Sequence, residues 1–319
     1  MKKAAVVPIL VLLCMGVVLC ATMVGVSLHD RNSDQNDWKV YTGGDTIYEK
    51  TYQQQPGGQV IIDSDVGDIL VSGTDKNEVS ISVTARGSQE DLHRFSVSSS
   101  QNGSVIRIDG KMKQRYLHMF GNHNFDVQFD VQVPKSSDLR LGTSGGNIAA
   151  DEIKGTVEGE TSGGDLDLRH LDGKVRMNTS GGNVVLKSSI GDFVLGTSGG
   201  NMTCEDATGP IHFETSGGNI DLRNCDGKVF ASTSGGNIHA ILKDNKGVEL
   251  STSGGNVSVR LPKSISADVN AEASGGGVDC DFPISGKVRE GTLHGQINGG
   301  GNEIRLETSG GDISISTLD

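Results

Sequence analysis

The pentapeptide Thr-Ser-Gly-Gly-Asn occurs at residues 143–147, 179–183, 197–201, 215–219, 233–237 and 252–256, and as Thr-Ser-Gly-Gly-Asp at 161–165. The serines Ser144, Ser162, Ser180, Ser198, Ser216 and Ser234 follow one another at intervals of 18 residues. Ser253 and Ser274 come at 19 and 21, followed by a degenerate Asn-Gly-Gly-Gly-Asn at 298–302 and a last Thr-Ser-Gly-Gly-Asp at 308–312. An internal period near 20 marks a solenoid or array, whose units cannot bury an apolar face alone and must stack. A catalytic loop is needed once, so a motif written this often reads as architecture.

One unit shows how the winding works. Counting Ser216 as zero, Ile220 and Leu222 fall at offsets 4 and 6, Gly227 at 11, Val229 and Ala231 at 13 and 15, and Thr233 at 17. The next-but-one unit back, from Ser180, gives Val184, Leu186, Gly191, Phe193, Leu195 and Thr197. Apolar residues two apart belong to a strand with one buried face. Each unit therefore predicts two short strands separated by glycine corners, which is one coil of a two-faced β-solenoid. At the Ser-Gly-Gly corner, glycine is expected for its access to positive φ. In a stack of such corners, Asn147, Asp165, Asn183, Asn201, Asn219, Asn237 and Asn256 fall above one another and can hydrogen-bond along a ladder. The threonines at offset 17 suggest a second, half-buried ladder. Whether Asn or Thr points inward stays open, because a corner breaks the parity.

Upstream of the strict repeat, residues 59–134 alternate apolar and polar residues in short runs such as Glu78–Thr84 and Phe125–Pro134. They predict irregular β coils and an N-terminal cap, with one helical turn at Ser88–Phe95. Asp63–Val71 carries a faint copy of the corner motif. The segment 308–319 offers no evident cap, so the final coil is expected to present an open edge to another chain.

A strand ending at Val131–Pro134, then Leu139–Ile148 and the recurring Gly-Asn-Ile/Val corners, resembles a family of bacterial surface proteins. These are β-solenoid domains of unknown function, called adhesins by analogy. The resemblance covers residues 59–319. It implies a parallel β-solenoid behind a membrane anchor or export signal, and it brings no catalytic residues to carry over.

Aromatic residues make up only 4% of the chain, which suits a thin stacked core of Val, Ile and Leu. The formal charge of −12 speaks against a nucleic-acid footprint. Lys2 and Lys3 precede an uncharged apolar run from Ala4 to Leu28, long enough for a helix to cross a hydrocarbon layer of ~30 Å. Residues 1–28 are read as an uncleaved signal anchor, with a cleaved signal or a lipid-modified cysteine as alternatives, and residues 29–58 as a polar tether. The lysines place the remainder outside the cytoplasm, in a periplasm or at a cell surface.

Several candidate sites fail on their own chemistry. The glycine-rich corners match no phosphate-binding fingerprint and lead into no helix. Asp165 and Asp167 are two carboxylates without the calcium-binding nonapeptide. Offset 7 (Asp151, Arg169, Lys187, Glu205, Arg223) has mixed signs, with Glu205 and Arg223 as a surface ion pair. Offset 16 (Glu160, Asn178, Gly196, Glu214, Ser232) shows no adjacent carboxylates for glycoside chemistry. Cys204 and Cys280 are inward but four coils apart, and Cys225 is three positions out of register with Cys204; free buried thiols are expected, with a Cys204–Cys225 disulfide as the alternative. His118 and His123 sit in a loop whose Tyr116, Leu117, Met119 and Phe120 form a possible contact tip.

These readings combine into an all-β parallel β-solenoid (β-helix) of about 18 residues per coil, preceded by an N-terminal transmembrane helix, with regular repeats over 135–319. The expected role is a non-catalytic, membrane-anchored, extracytoplasmic adhesin or envelope-binding module. It needs no cofactor or metal, and its partner is a glycan or a cell-envelope protein. The alternatives are a scaffold that self-associates through the solenoid end, and a carbohydrate-active β-helix enzyme.

Overall fold

The computed structural model describes residues 44–113 and 125–318. The anchor segment 1–28 and the tip Tyr116, Leu117, Met119 and Phe120 lie outside the described residues. Among the described residues no helix is long and apolar enough to cross a membrane.

The described residues fold into two long sheets, of 13 and 14 strands. In one, Leu166, Val184, Met202, Ile220 and Ile238 pair in succession, each 18 residues beyond the last and all in parallel. In the other, Val157, Val175, Phe193, Ile211 and Val229 do the same. The chain crosses from one sheet to the other twice per coil, and the inward side chains of both sheets fill the space between.

Alternation explains each strand. In Asp172–Thr179, Val175, Met177 and Thr179 are buried between exposed Lys174, Arg176 and Asn178. Each such apolar burial stabilises by roughly 1.5–3 kcal/mol before chain entropy is subtracted. Neighbouring coils compensate for one another in volume. Phe213 pairs with Ala231, and Met177 with Gly159, so bulk in one coil meets a small residue in the next.

The Ser-Gly-Gly corners need glycine for a reason other than the expected positive φ. None of these corner glycines has a left-handed φ. The constraint is the approach of the coil below. A Cβ on Gly200 would collide with the carbonyl of Gly182, and the same holds for Gly164, Gly182, Gly218 and Gly236 against their predecessors. The first glycine is different: a Cβ on Gly199 meets nothing nearer than 3.7 Å. Only the second glycine is required by the stacking.

The left-handed turn occurs at the other corner. Glu152, His170, Ser188, Asp206 and Asn224, all at offset 8, have φ of 48 to 57°. This single residue reverses the parity and sends the next side chain inward. Ile153, Leu171, Ser189, Ala207 and Cys225 form the resulting buried column.

Both ends of the stack depart from sequence order. Gly58–Ser64 lies between Val105–Met112 and Ser137–Thr143. Beyond it, Phe95–Asn102, Glu78–Arg86 and Asp45–Gln53 pair antiparallel. Asp45–Gln53 is thus a strand, where a tether was expected. The helix Gln89–Arg94, N-capped by Ser88, stands where one helical turn was predicted.

The expected open C-terminal coil is not found. Glu303–Thr308 inserts between Val248–Thr252 and Ala267–Ala273, and Ile313–Leu318 between Val257–Pro262 and Val278–Cys280. The earlier coil is displaced outward and covered on one sheet by the antiparallel hairpin Ser285–Arg289 and Thr292–Ile297. Its edge carries Lys287 and Arg289, and charge on an edge strand discourages pairing with another chain.

Candidate binding surface

The ladder residues come together as one solvent-facing column. Asn147 Oδ1 accepts the main-chain N–H of Asp165 at 2.8 Å, and Asp165 Oδ1 that of Asn183 at 2.6 Å. Asn183, Asn201, Asn219 and Asn237 each accept from the ladder residue of the next coil at 2.8 to 3.0 Å. Asp68 starts the column by accepting from the Asn147 N–H, and Asp312 extends it by donating its own N–H to Asn256 Oδ1 and accepting that of Gly277. Each side chain therefore bonds the neighbouring backbone, leaving the column saturated along the stack. Burial pushes the Asp68 carboxyl above the usual carboxylate range, while the Asn147 N–H opposes that rise.

The threonines point inward. Thr197 Oγ1 donates to Gly182 O at 2.8 Å and accepts from Gly200 N at 3.2 Å, and Thr215 repeats this with Gly200 and Gly218. Both ladders fix corners, and both are structural.

Beside the corners runs a groove of about 660 Å³ that crosses several coils. One wall is the serine column Ser144, Ser162, Ser180, Ser198 and Ser216. The other is the offset-16 column, where Glu160, Asn178 and Glu214 project and Gly142 and Gly196 leave gaps. Asn178 Oδ1 lies over the gap at Gly196. The serine hydroxyls, amide and carboxylates recur at the strand spacing of ~4.8 Å.

Two columns inward on the same sheet face, Arg176, Val194, His212, Phe230 and Glu249 are paired in line. The His212 and Phe230 rings stack with centroids 4.3 Å apart and planes inclined by 16°. Val194 continues the apolar strip at 36% exposure. His212 Nε2 is 3.0 Å from Glu214 Oε1, which joins the strip to the groove wall. Phe230 differs from the other described phenylalanines: Phe95, Phe129, Phe193, Phe213 and Phe282 are buried, and Phe125 packs against the core. Reading offsets 7 and 16 alone misses this strip. Its signal is offset 14, where Val194, His212 and Phe230 follow one another at outward parity.

The remaining candidates resolve into surface chemistry. Asp167 holds Arg169 through two hydrogen bonds of 2.7 and 2.6 Å, so it does not stand with Asp165 as a cation pair. At offset 7, Glu205 meets Lys187 at 3.2 Å and Arg223 meets Asp221 at 2.8 Å. Among the described residues no His, Cys, Asp and Glu cluster could hold a metal ion.

Several solved structures are similar to this chain. A candidate adhesin from Parabacteroides distasonis is 13% identical, covering 86% of this chain and 98% of its own, at a TM-score of 0.49. A candidate adhesin from Parabacteroides merdae is 14% identical, covering 85% and 96%, at 0.47. A candidate lipid-binding protein from Parabacteroides distasonis is 15% identical over 85% and 96%, at 0.39. No curated protein matches the chain. The Toastrack DUF4097 family profile matches residues 59–316, most of the chain. With its two-faced parallel stack and its repeated corners, this chain belongs to the Toastrack DUF4097 family.

Proposed function

We propose that this chain is a non-catalytic binding module of adhesin type, held at the outer side of a membrane by residues 1–28, with an extended glycan as its ligand. The observation that carries this reading is the stacked His212–Phe230 pair beside the groove. A pyranose ring has a face of C–H groups and a rim of hydroxyls. The half-buried aromatic pair suits the first, and Glu214, Asn178 and the serine column suit the second. The regular spacing of the groove offers equivalent contacts to successive units of a linear polymer, which accumulate into useful affinity.

Two other readings fit less well. In the groove, Glu160 stands two strand steps from Asp63 and three from Glu214. These steps amount to ~10 and ~14 Å, at or beyond the upper end of the carboxylate separations used in glycoside hydrolysis. End-to-end assembly is disfavoured at one end by the antiparallel strands Asp45–Gln53 and Phe95–Asn102 and at the other by the hairpin Ser285–Arg289 and Thr292–Ile297, which covers one sheet and leaves the short strand Val278–Cys280 as the edge of the other.

The test is a glycan-array screen of the purified full chain in detergent, followed by incubation with any polymer retained. Retention that Phe230→Ala weakens about tenfold or more, without shortening of the polymer, supports the reading. Shortened product would establish an enzyme, and retention unaffected by Phe230→Ala would place the site elsewhere.

A further inference from the structure

Two buried thiols have no part in the binding surface. Cys204 lies at an inward strand position and Cys225 in the buried corner column one coil on, with relative exposures of 0% and 1%. In strand register Cys204 pairs with Leu222, three residues before Cys225. The left-handed turn at Asn224 and the register shift between Arg223 and Cys225 remove that offset. Ala207 holds the corner position in the coil of Cys204, and its carbonyl accepts the N–H of Asp226, next to Cys225, at 2.9 Å. The result is an Sγ to Sγ separation of 3.3 Å.

We infer that Cys204 and Cys225 close into a disulfide when the chain folds in an oxidising compartment, joining two adjacent coils inside the core. The compartment rests on the export reading above; the geometry does not. A covalent bond requires the sulfurs to approach by about a further 1 Å, which side-chain rotation can supply. Cys280 cannot compete. Leu222, Ala240, Val259 and Ile315 separate it from Cys204 across the sheet, far beyond the reach of a disulfide.

The chemistry is thiol–disulfide exchange with a small-molecule disulfide such as oxidised glutathione. One cysteine thiolate attacks a sulfur of the oxidant, releasing one thiol and leaving a mixed disulfide. The second cysteine thiolate displaces the other half, so two protons leave the pair and the oxidant ends as two thiols. Timing follows from burial. The hydrogen bond with Cys225, and then desolvation, push the Cys204 thiol well above its ordinary value in the folded chain. Neither sulfur is reachable there. The bond therefore forms while the coils are still opening and closing, and once formed it is shielded from reductant.

The full chain, reduced and unfolded, is refolded with reduced and oxidised glutathione, blocked with an alkylating agent, and digested with trypsin. Cleavage at Arg223 separates peptide 188–223, holding Cys204, from peptide 224–228, holding Cys225. Recovery of these two joined through sulfur, with Cys280 alkylated, is the expected result. The oxidised chain should also melt about 5 °C or more above the reduced one, and Cys225→Ala should abolish that difference. This variant repeats the residue found at Ala207, so it retains the fold. Recovery of both cysteines alkylated after refolding overturns the inference, as does an equal redox shift in Cys225→Ala. The same digest on protein taken directly from cells separates the two readings: free thiols there, with a bond after refolding, count against export and not against the disulfide.

Discussion

The side-chain oxygen of Asn183 accepts the main-chain N–H of Asn201 at 3.0 Å, one coil further along the stack. The bond uses an acceptor, not the amide as a whole. Asn201→Asp should therefore be tolerated, as Asp165 is in the same column, whereas Asn201→Ala removes the acceptor for Asn219 N–H and should cost about 1 kcal/mol. Denaturant midpoints of the two variants check this; equal losses would mean that the ladder bonds contribute nothing.

Thr215 faces the other way and should be less forgiving. Its hydroxyl is buried, donating to Gly200 O at 3.0 Å and accepting from Gly218 N at 3.2 Å. Thr215→Val keeps the shape and strands two backbone groups, which should cost roughly 2–3 kcal/mol. Thr215→Ser keeps the hydroxyl and should recover most of that loss in the same unfolding assay.

Asp68 gives the stack a dependence on pH. Burial raises its folded carboxyl above the unfolded value of 3.8. The folded state then binds the proton more tightly, and stability falls as pH rises through the window between the two values. Asp68→Asn preserves the acceptor for Asn147 without the charge. It should raise Tm by roughly 1–3 °C at neutral pH, with the gain shrinking below the folded value. A gain independent of pH would remove the carboxyl as its cause.

The C-terminal segment should behave as a core element. Ile304, Leu306, Ile313 and Ile315 are buried between coils formed earlier in the chain. Truncation before Glu303 is expected to unmake both neighbouring interfaces and yield aggregation-prone protein. Cooperative unfolding of the truncated chain near the original Tm would show that the insertion is dispensable.

Much of this architecture was legible because a period of 18 with apolar residues two apart leaves little choice but stacked strands. Val175, Met177, Leu166 and Leu168 fell where parity put them. The second corner was legible only in part. Its glycine was seen at offset 11, where Gly155, Gly173, Gly191 and Gly209 have positive φ, but the turn three residues earlier is made by Glu, His, Ser, Asp and Asn, so the inward places of Leu171 and Cys225 stayed hidden. The displaced terminal coil was equally silent. Thr308–Asp312 is a perfect corner motif, and local sequence does not say which coil it stacks on. The His212–Phe230 strip could have been found by extending the offset count to 14.

The second glycine of each corner lets one coil stack on the next. Gly199 and Gly200 test this most directly, being adjacent in sequence and opposite in consequence. Thermal unfolding of Gly199→Ala and Gly200→Ala should show the first within about 0.5 kcal/mol of the parent and the second destabilised by roughly 2–4 kcal/mol. Equal effects of the two substitutions would contradict the stacking of corner upon corner.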